Sequence, residues 1–434
     1  MRQENSAIIL RIWYTYDILK IKFGGSAHMS TETVTAEPPK VKKVYTIEFW
    51  RFVFTTLVCI YHLEVFFIQR KVMLTGSSAV EFFFVLAGFL LAMSAKRERA
   101  NRLAPISVKD AHGKALEYVK RKCIAIYPIL AIVIILGALV YPMMPASLLG
   151  RLEVLKNTEW EWLMLIGTPF GFADGNTLII PMWFLTHLLL GGYIYTYALN
   201  RHYDFMMFAA PVIGVLGYIF FALNSSFILD FMIPMGFLNA GMVRAFAEMA
   251  LGISLFMIYE YITAKKLRLI WQILLSILEL YAIYRLFDLM FFVPVSIDNF
   301  RRIVYVLIIV LLSFSNITLF SRLLNRKLWH YLGKITLTMF LAHYGLIMVY
   351  FRLIMTLKTR LGMLGYKYPF AKSIRLFIDN MGGSSMTSHT SPITWKDALL
   401  YMLLVIVVSL LILLVIAGIK RFIVKPLRSA IKSV

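Results

Sequence analysis

Apolar runs of about 20 residues, the length an α-helix needs to cross the hydrocarbon core of a bilayer, recur along this chain. They fall at roughly 46–67, 78–95, 124–143, 178–199, 205–223, 241–262, 268–292, 302–320, 334–356 and 397–419. The pattern predicts an all-α, polytopic membrane helix bundle with about ten transmembrane helices. Several runs contain Gly or Pro, which membrane helices tolerate better than soluble ones. The stretch Trp160–Phe172 is apolar but short and follows acidic residues, so it reads as a re-entrant or interfacial segment. Residues 30–43 are polar, with Pro38-Pro39 and the cluster Lys40, Lys42 and Lys43, and read as a disordered tail. The domain layout is therefore a tail over 1–45, a membrane domain over 46–420 and a basic cytoplasmic tail over 421–434. Ile8–Trp13 is too short for a signal peptide and no small-residue cleavage site follows it. Met29 is an alternative start, because Gly24-Gly25 just upstream has codons that resemble a ribosome-binding site.

Composition agrees with a lipid-facing surface: 60% of residues are hydrophobic and 16% charged. A soluble fold has too little interior to hide that much apolar surface. The formal charge is +22, from 45 Lys and Arg against 23 Asp and Glu. Nucleic acid is not expected as a partner, since the basic residues sit in short loops between apolar runs, where they set membrane orientation. With the N-terminus inside, the inner loops carry Lys96, Arg97, Arg99, Lys120, Arg121, Lys122, Arg201, Lys265, Lys266, Arg322, Arg326 and Lys327. The outer loop 224–240 has no Lys or Arg, and 144–177 holds Glu153, Glu159, Glu161 and Asp174 against two cations. Both termini are thus expected in the cytoplasm. The loop 357–396 is basic although assigned outside, and is long enough for the rule to relax; it would face an anionic glycan or headgroups.

Ionisable groups inside a bilayer are costly, so each is a functional candidate until a partner explains it. Arg51 and His62 are 11 residues apart. At about 100° per residue this is three turns plus about 20°, so both lie on one helical stripe, about 16 Å apart along the axis. Glu48 is one turn before Arg51 and can pair with it. The plainer alternative is that Arg51 anchors the helix at the headgroups and His62 packs against a polar neighbour. His187 and His343 lie in other runs. With His62 they would make a chemically reasonable zinc set, but packing or substrate hydrogen bonding is the preferred reading, and no metal is assigned. Arg244 and Glu248, four apart, are expected to neutralise each other, as are Arg285 and Asp288, three apart. Glu279 has no obvious partner and is a candidate for a polar cavity. Gly88 and Gly252 read as close-packing positions. Cys59 and Cys123 read as small hydrophobes, with neither a disulfide framework nor a metal-binding spacing.

The sequence resembles the acyltransferase 3 family of membrane proteins, whose Arg-x10-His motif is similar to Arg51 and His62 after Glu48-Phe49-Trp50. Further matches follow in order: Glu81–Leu90 in the second run; Tyr118–Lys122 leading to Ile126-Tyr127-Pro128; Trp183-Phe184-Leu185; Arg244 before Leu251-Gly252; and Leu332–Thr336 with Phe340–His343. Three positions depart from the pattern. Ala87 stands where Ser is usual, Ala125 where Arg is usual, and His187-Leu188-Leu189 where acidic residues often follow Trp-x-Leu. The last removes a carboxylate that would orient a catalytic histidine.

The resemblance implies an O-acyltransferase. It would move an acyl group, in the simplest case acetyl, from cytoplasmic acyl-CoA to a hydroxyl of a cell-surface glycan or its precursor. The expected partners are acyl-CoA, a carbohydrate or glycolipid acceptor and the lipid bilayer of a bacterial plasma membrane. No tightly bound cofactor is expected. His62, Arg51 and Glu48 are the catalytic candidates. Arg121, Lys122, Trp183, His187, Arg244, Glu279 and His343 are the substrate-binding ones. His62 would act as general base or carry the acyl group. Two other readings stay open: a transporter or flippase for a polar lipid or glycan, and a non-catalytic membrane sensor or assembly subunit.

Overall fold

The computed structural model describes residues 44–65, 73–100, 106–140, 147, 149–150, 156, 181–224, 233–235, 238–293, 299–365 and 394–424. The tail before residue 44, the segment 160–172, most of the basic loop 357–396 and residues 425–434 lie outside them. The chain divides into a main unit, Val44–Leu413, and a small one made of residues 1–43 and 414–434.

Over the described residues each of the ten apolar runs overlaps at least one of eleven α-helices. In chain order these are α1 (Thr46–Val65), α2 (Ala79–Ala100), α3 (Val108–Val140), α4 (Met182–Arg201), α5 (Tyr203–Asn224), α6 (Ala240–Thr263), α7 (Leu269–Phe292), α8 (Asn299–Ser315), the short α9 (Leu319–Leu324), α10 (Leu328–Gly365) and α11 (Trp395–Ile419). A two-stranded antiparallel hairpin, β1 (Pro234–Met235) with β2 (Leu238–Asn239), precedes α6. Among the described residues, five segments are long and apolar enough to cross a membrane: Ala79–Ala100, Tyr203–Phe221, Ala240–Thr263, Leu328–Ile354 and Trp395–Phe422. α8, at 17 residues, falls short of the usual length. α7 carries Glu279, Arg285 and Asp288 within its apolar run.

Several boundaries differ from expectation: 328–333 and 357–365, read as loop, belong to α10, and 96–100 belongs to α2. Residues 108–123, assigned to an inner loop, are the first turns of α3. Lys, Glu, Ala and Leu are good helix formers, and Ser107 Oγ caps the start by accepting from Asp110 N at 3.1 Å. The basic stretch Lys120–Lys122 is therefore held on a helix.

The interior is organised by two close approaches between α2 and α6. A side chain on Gly88 would collide with the Met249 carbonyl, and one on Gly252 with the Val85 carbonyl. The two glycines thus let the backbones touch, as small residues do in membrane bundles. One to two turns away lies a buried charge cluster. Arg244 Nε bonds Glu248 Oε1 at 2.8 Å, and Arg244 Nη2 lies 3.3 Å from Glu81 Oε1. Arg302, also buried, donates to the carbonyls of Leu289 (3.1 Å) and Val293 (3.3 Å) at the C-terminal end of α7, where a helix favours a cation. The expected Arg244–Glu248 pair is present, and Glu81 joins it from another helix.

Candidate active site

α1 packs against α10, and its N-terminal half is fixed there by polar contacts. Glu48 Oε2 accepts from Arg51 Nη1 at 2.7 Å. Arg51 Nη2 reaches Thr336 Oγ1 of α10 at 3.4 Å, and Thr336 in turn donates to the Gly333 carbonyl at 2.9 Å. The Arg51 side chain nonetheless keeps 35% of its surface open. A guanidinium held on one side and open on the other is suited to an anion.

Lys122, on α3, faces the same cation. Its Nζ lies 5.6 Å from the centre of the Tyr118 ring. Residue 122 precedes the apolar part of α3. There its ammonium is held below the usual lysine range, at about 8, chiefly by the protein crowded round it and then by the charges of Arg51 and Arg121. Yet Lys122 remains exposed. Arg121 points away: it is 66% exposed and pairs loosely with Glu117 at 3.7 Å.

Three turns beyond Arg51, His62 faces into the bundle and meets α10. Its Nδ1 lies 3.0 Å from the Val58 carbonyl and 3.1 Å from His343 Nε2. The two rings are 5.0 Å apart, centre to centre. His62 is half-buried and retains some accessible surface. His343 is fully buried. Behind it stands an aromatic wall from three helices: Phe340 lies 5.9 Å from His343, Phe184 5.5 Å from Phe340, and Phe84 4.6 Å from Phe184.

His187 does not join this pair. Its Nδ1 lies 2.5 Å from the Trp183 carbonyl and its Nε2 2.9 Å from Asn239 Oδ1. Asn239 Oδ1 also caps α6 by accepting from Met242 N at 2.9 Å. His187 therefore ties α4 to the start of α6, and Trp183 packs with it at 5.7 Å. Among the described residues no group of three His, Cys, Asp or Glu is placed to hold a metal. Glu279 is buried on α7 and accepts from the hydroxyls of Ser313 (3.3 Å), Thr318 and Ser321 (2.5 Å). Arg285 pairs with Asp288 at 2.7 Å. Of the ten sequence-derived site residues, the structure brings Glu48, Arg51 and Lys122 together at one level, and His62 with His343 at another. Trp183 and His187, Arg244, and Glu279 form three further clusters of their own.

A family model described as an acyltransferase domain matches residues 44–418, from the first described residue to the last turn of α11. This chain belongs to the acyltransferase 3 family. As an acyltransferase 3 protein it is a membrane acyltransferase in general terms. No curated protein and no solved structure gives a significant match. Two contact residues, Thr336 beside Arg51 and Glu81 beside Arg244, were not singled out by sequence as partners of these arginines. Glu81 had left a signal, as a carboxylate opening the apolar run Phe82–Leu91.

Proposed function

We propose that this protein is an O-acyltransferase of a bacterial plasma membrane, with both termini cytoplasmic. It takes an acyl group, in the simplest case acetyl, from acyl-CoA at the Arg51–Lys122 level and delivers it to a hydroxyl of a cell-surface glycan or its precursor near His62. One observation carries this reading. His62 Nδ1 faces the Val58 carbonyl, which only accepts, so Nδ1 holds the ring proton and Nε2 is left with its lone pair. That bare nitrogen shares a stripe of α1 with a partly open guanidinium.

The chemistry balances. His62 Nε2 takes the proton of the acceptor hydroxyl as its oxygen attacks the thioester carbonyl. The tetrahedral intermediate collapses, the C–S bond breaks, and the CoA thiolate leaves with the proton that His62 returns. Arg51 and Lys122 hold the phosphates of the donor, and Glu48 keeps Arg51 in place. Transfer from one end of the stripe to the other requires the pantetheine arm to extend along α1, a span of about 16 Å.

The test is release of CoA from radiolabelled acetyl-CoA by the purified protein in lipid nanodiscs, with surface glycan fractions as acceptors. His62→Ala should lose transfer by at least a hundredfold while its thermal unfolding stays near wild type. A fully active His62→Ala protein removes the proposed base and this mechanism with it.

A further inference from the structure

The two histidines differ in how tightly each is fixed. His343 Nδ1 lies 2.7 Å from the Phe340 carbonyl one turn earlier in α10. A carbonyl only accepts, so His343 Nδ1 carries the proton and its Nε2 is bare. That bare Nε2 is the atom 3.1 Å from His62 Nδ1. The His62 N–H is thus shared between two acceptors, the Val58 carbonyl of its own helix and an imidazole nitrogen of α10. The backbone of His343 is itself anchored, because the Tyr401 hydroxyl of α11 donates to the His343 carbonyl at 2.6 Å. Phe340 closes the other side of the ring.

We infer that His343 is a positioning residue for His62: as a neutral acceptor locked by Phe340 and Tyr401, it holds the His62 ring in the tautomer and orientation that leave Nε2 bare. This deepens the proposed function and rests on His62 acting as the base. When His62 takes up a proton on Nε2, the positive charge spreads to Nδ1–H, and two acceptors already face it. This is the part a carboxylate plays beside many catalytic histidines, here played by a second, uncharged imidazole. A buried carboxylate would itself need a compensating charge in this apolar surrounding; an imidazole does not. His343 touches neither reacting centre in this scheme and does not itself transfer a proton.

The test is a three-member series at residue 343, read as kcat and KM for acetyl-CoA. Gln places an oxygen acceptor near the position of Nε2, Leu fills the space with no bond, and Lys turns an acceptor into a cation facing the His62 N–H. Positioning predicts kcat in the order His343→Gln, His343→Leu, His343→Lys. Gln should lie within about tenfold of wild type and Leu about a hundredfold or more below it, with KM for the donor within twofold. A packing role predicts the reverse of the first two, since a buried Leu costs less than a buried Gln; equal kcat for Gln and Leu, or Leu above Gln, overturns the inference. A second readout is independent of activity. With 15N-labelled histidine in bilayers, His62, assigned by its loss in His62→Gln, should show one protonated and one bare nitrogen, and this pattern should broaden into a mixture in His343→Leu but not in His343→Gln. An unchanged His62 spectrum in His343→Leu overturns the inference even if the enzyme is active. Wild-type protein that cleaves no thioester, yet shows the expected spectra, refutes the proposed function and leaves the positioning intact.

Discussion

The Glu48 carboxylate occupies the space that a side chain on Gly333 would fill, with its Oε2 closer to that position than real Cβ contacts allow. Gly333 is thus the residue of α10 that admits Glu48, and through it sets where Arg51 can point. Gly333→Ala should push the carboxylate aside and raise the KM for acetyl-CoA about tenfold, equivalent to about 1.4 kcal/mol. Combining it with Glu48→Gln should add little, because both changes act through one contact. A fully additive loss in the double variant would show that Gly333 acts elsewhere.

In the proposed mechanism Lys122 gives the donor step a pH dependence. Its ammonium is held at about 8, so it is charged at pH 7 and largely neutral at pH 9.5. A negatively charged donor prefers the charged form. The KM for acetyl-CoA should therefore rise several-fold between pH 7 and 9.5. Lys122→Arg should flatten that rise, since guanidinium stays protonated throughout. Steady-state kinetics across this range on both proteins is the measurement, and an identical rise in Lys122→Arg would assign the titration to another group.

Arg244 is 2% exposed and faces two carboxylates that are 0% exposed. Removing the cation leaves buried anions without compensation, at a cost of about 3–5 kcal/mol. Arg244→Met should accordingly lower the thermal midpoint sharply, and adding Glu81→Gln and Glu248→Gln should restore part of it. If Arg244 instead binds substrate and contributes little to folding, Arg244→Met would keep the wild-type midpoint while acceptor KM climbs.

Glu279 is placed to satisfy three hydroxyls that tie α7 to α8 and α9. Replacing it with Leu strands those donors, and each buried polar group without a partner costs about 1–3 kcal/mol. Glu279→Leu should reduce the denaturation midpoint and lower apparent kcat only through the loss of folded protein, leaving KM unchanged. A variant with normal stability and a selective rise in acceptor KM would instead make Glu279 a substrate contact.

Much of this fold could be read from the chain because an apolar run of about 20 residues has few alternatives to helix in lipid. Local pairs were legible for a related reason: Glu48 with Arg51, Arg244 with Glu248, and Arg285 with Asp288 each lie within about one turn of a single helix, where spacing alone decides. Contacts across helices were not. His62 and His343 are separated by 281 residues, and nothing in their spacing says which spans adjoin. The same holds for Glu81 with Arg244. Glu279 was the opposite case, a carboxylate whose partners are Ser and Thr, residues common enough to carry no pattern. The helical extension 108–123 was missed because its polarity reads as loop where the apolar run is the only guide.

The reciprocal insertion of Gly88 and Gly252, reinforced by Glu81, Arg244 and Glu248, has a mechanical meaning. α2 and α6 have no slack between them: sliding either would drive carbonyl into carbon and part buried charges. The pair behaves as a keel. In the proposed mechanism, the motion that admits an acceptor to His62 or lets a spent donor depart is therefore expected in the helices hung on that keel and not in a rocking of its two halves. A molecule so built is better suited to passing a small group along a fixed track than to carrying a bulky solute from one side to the other.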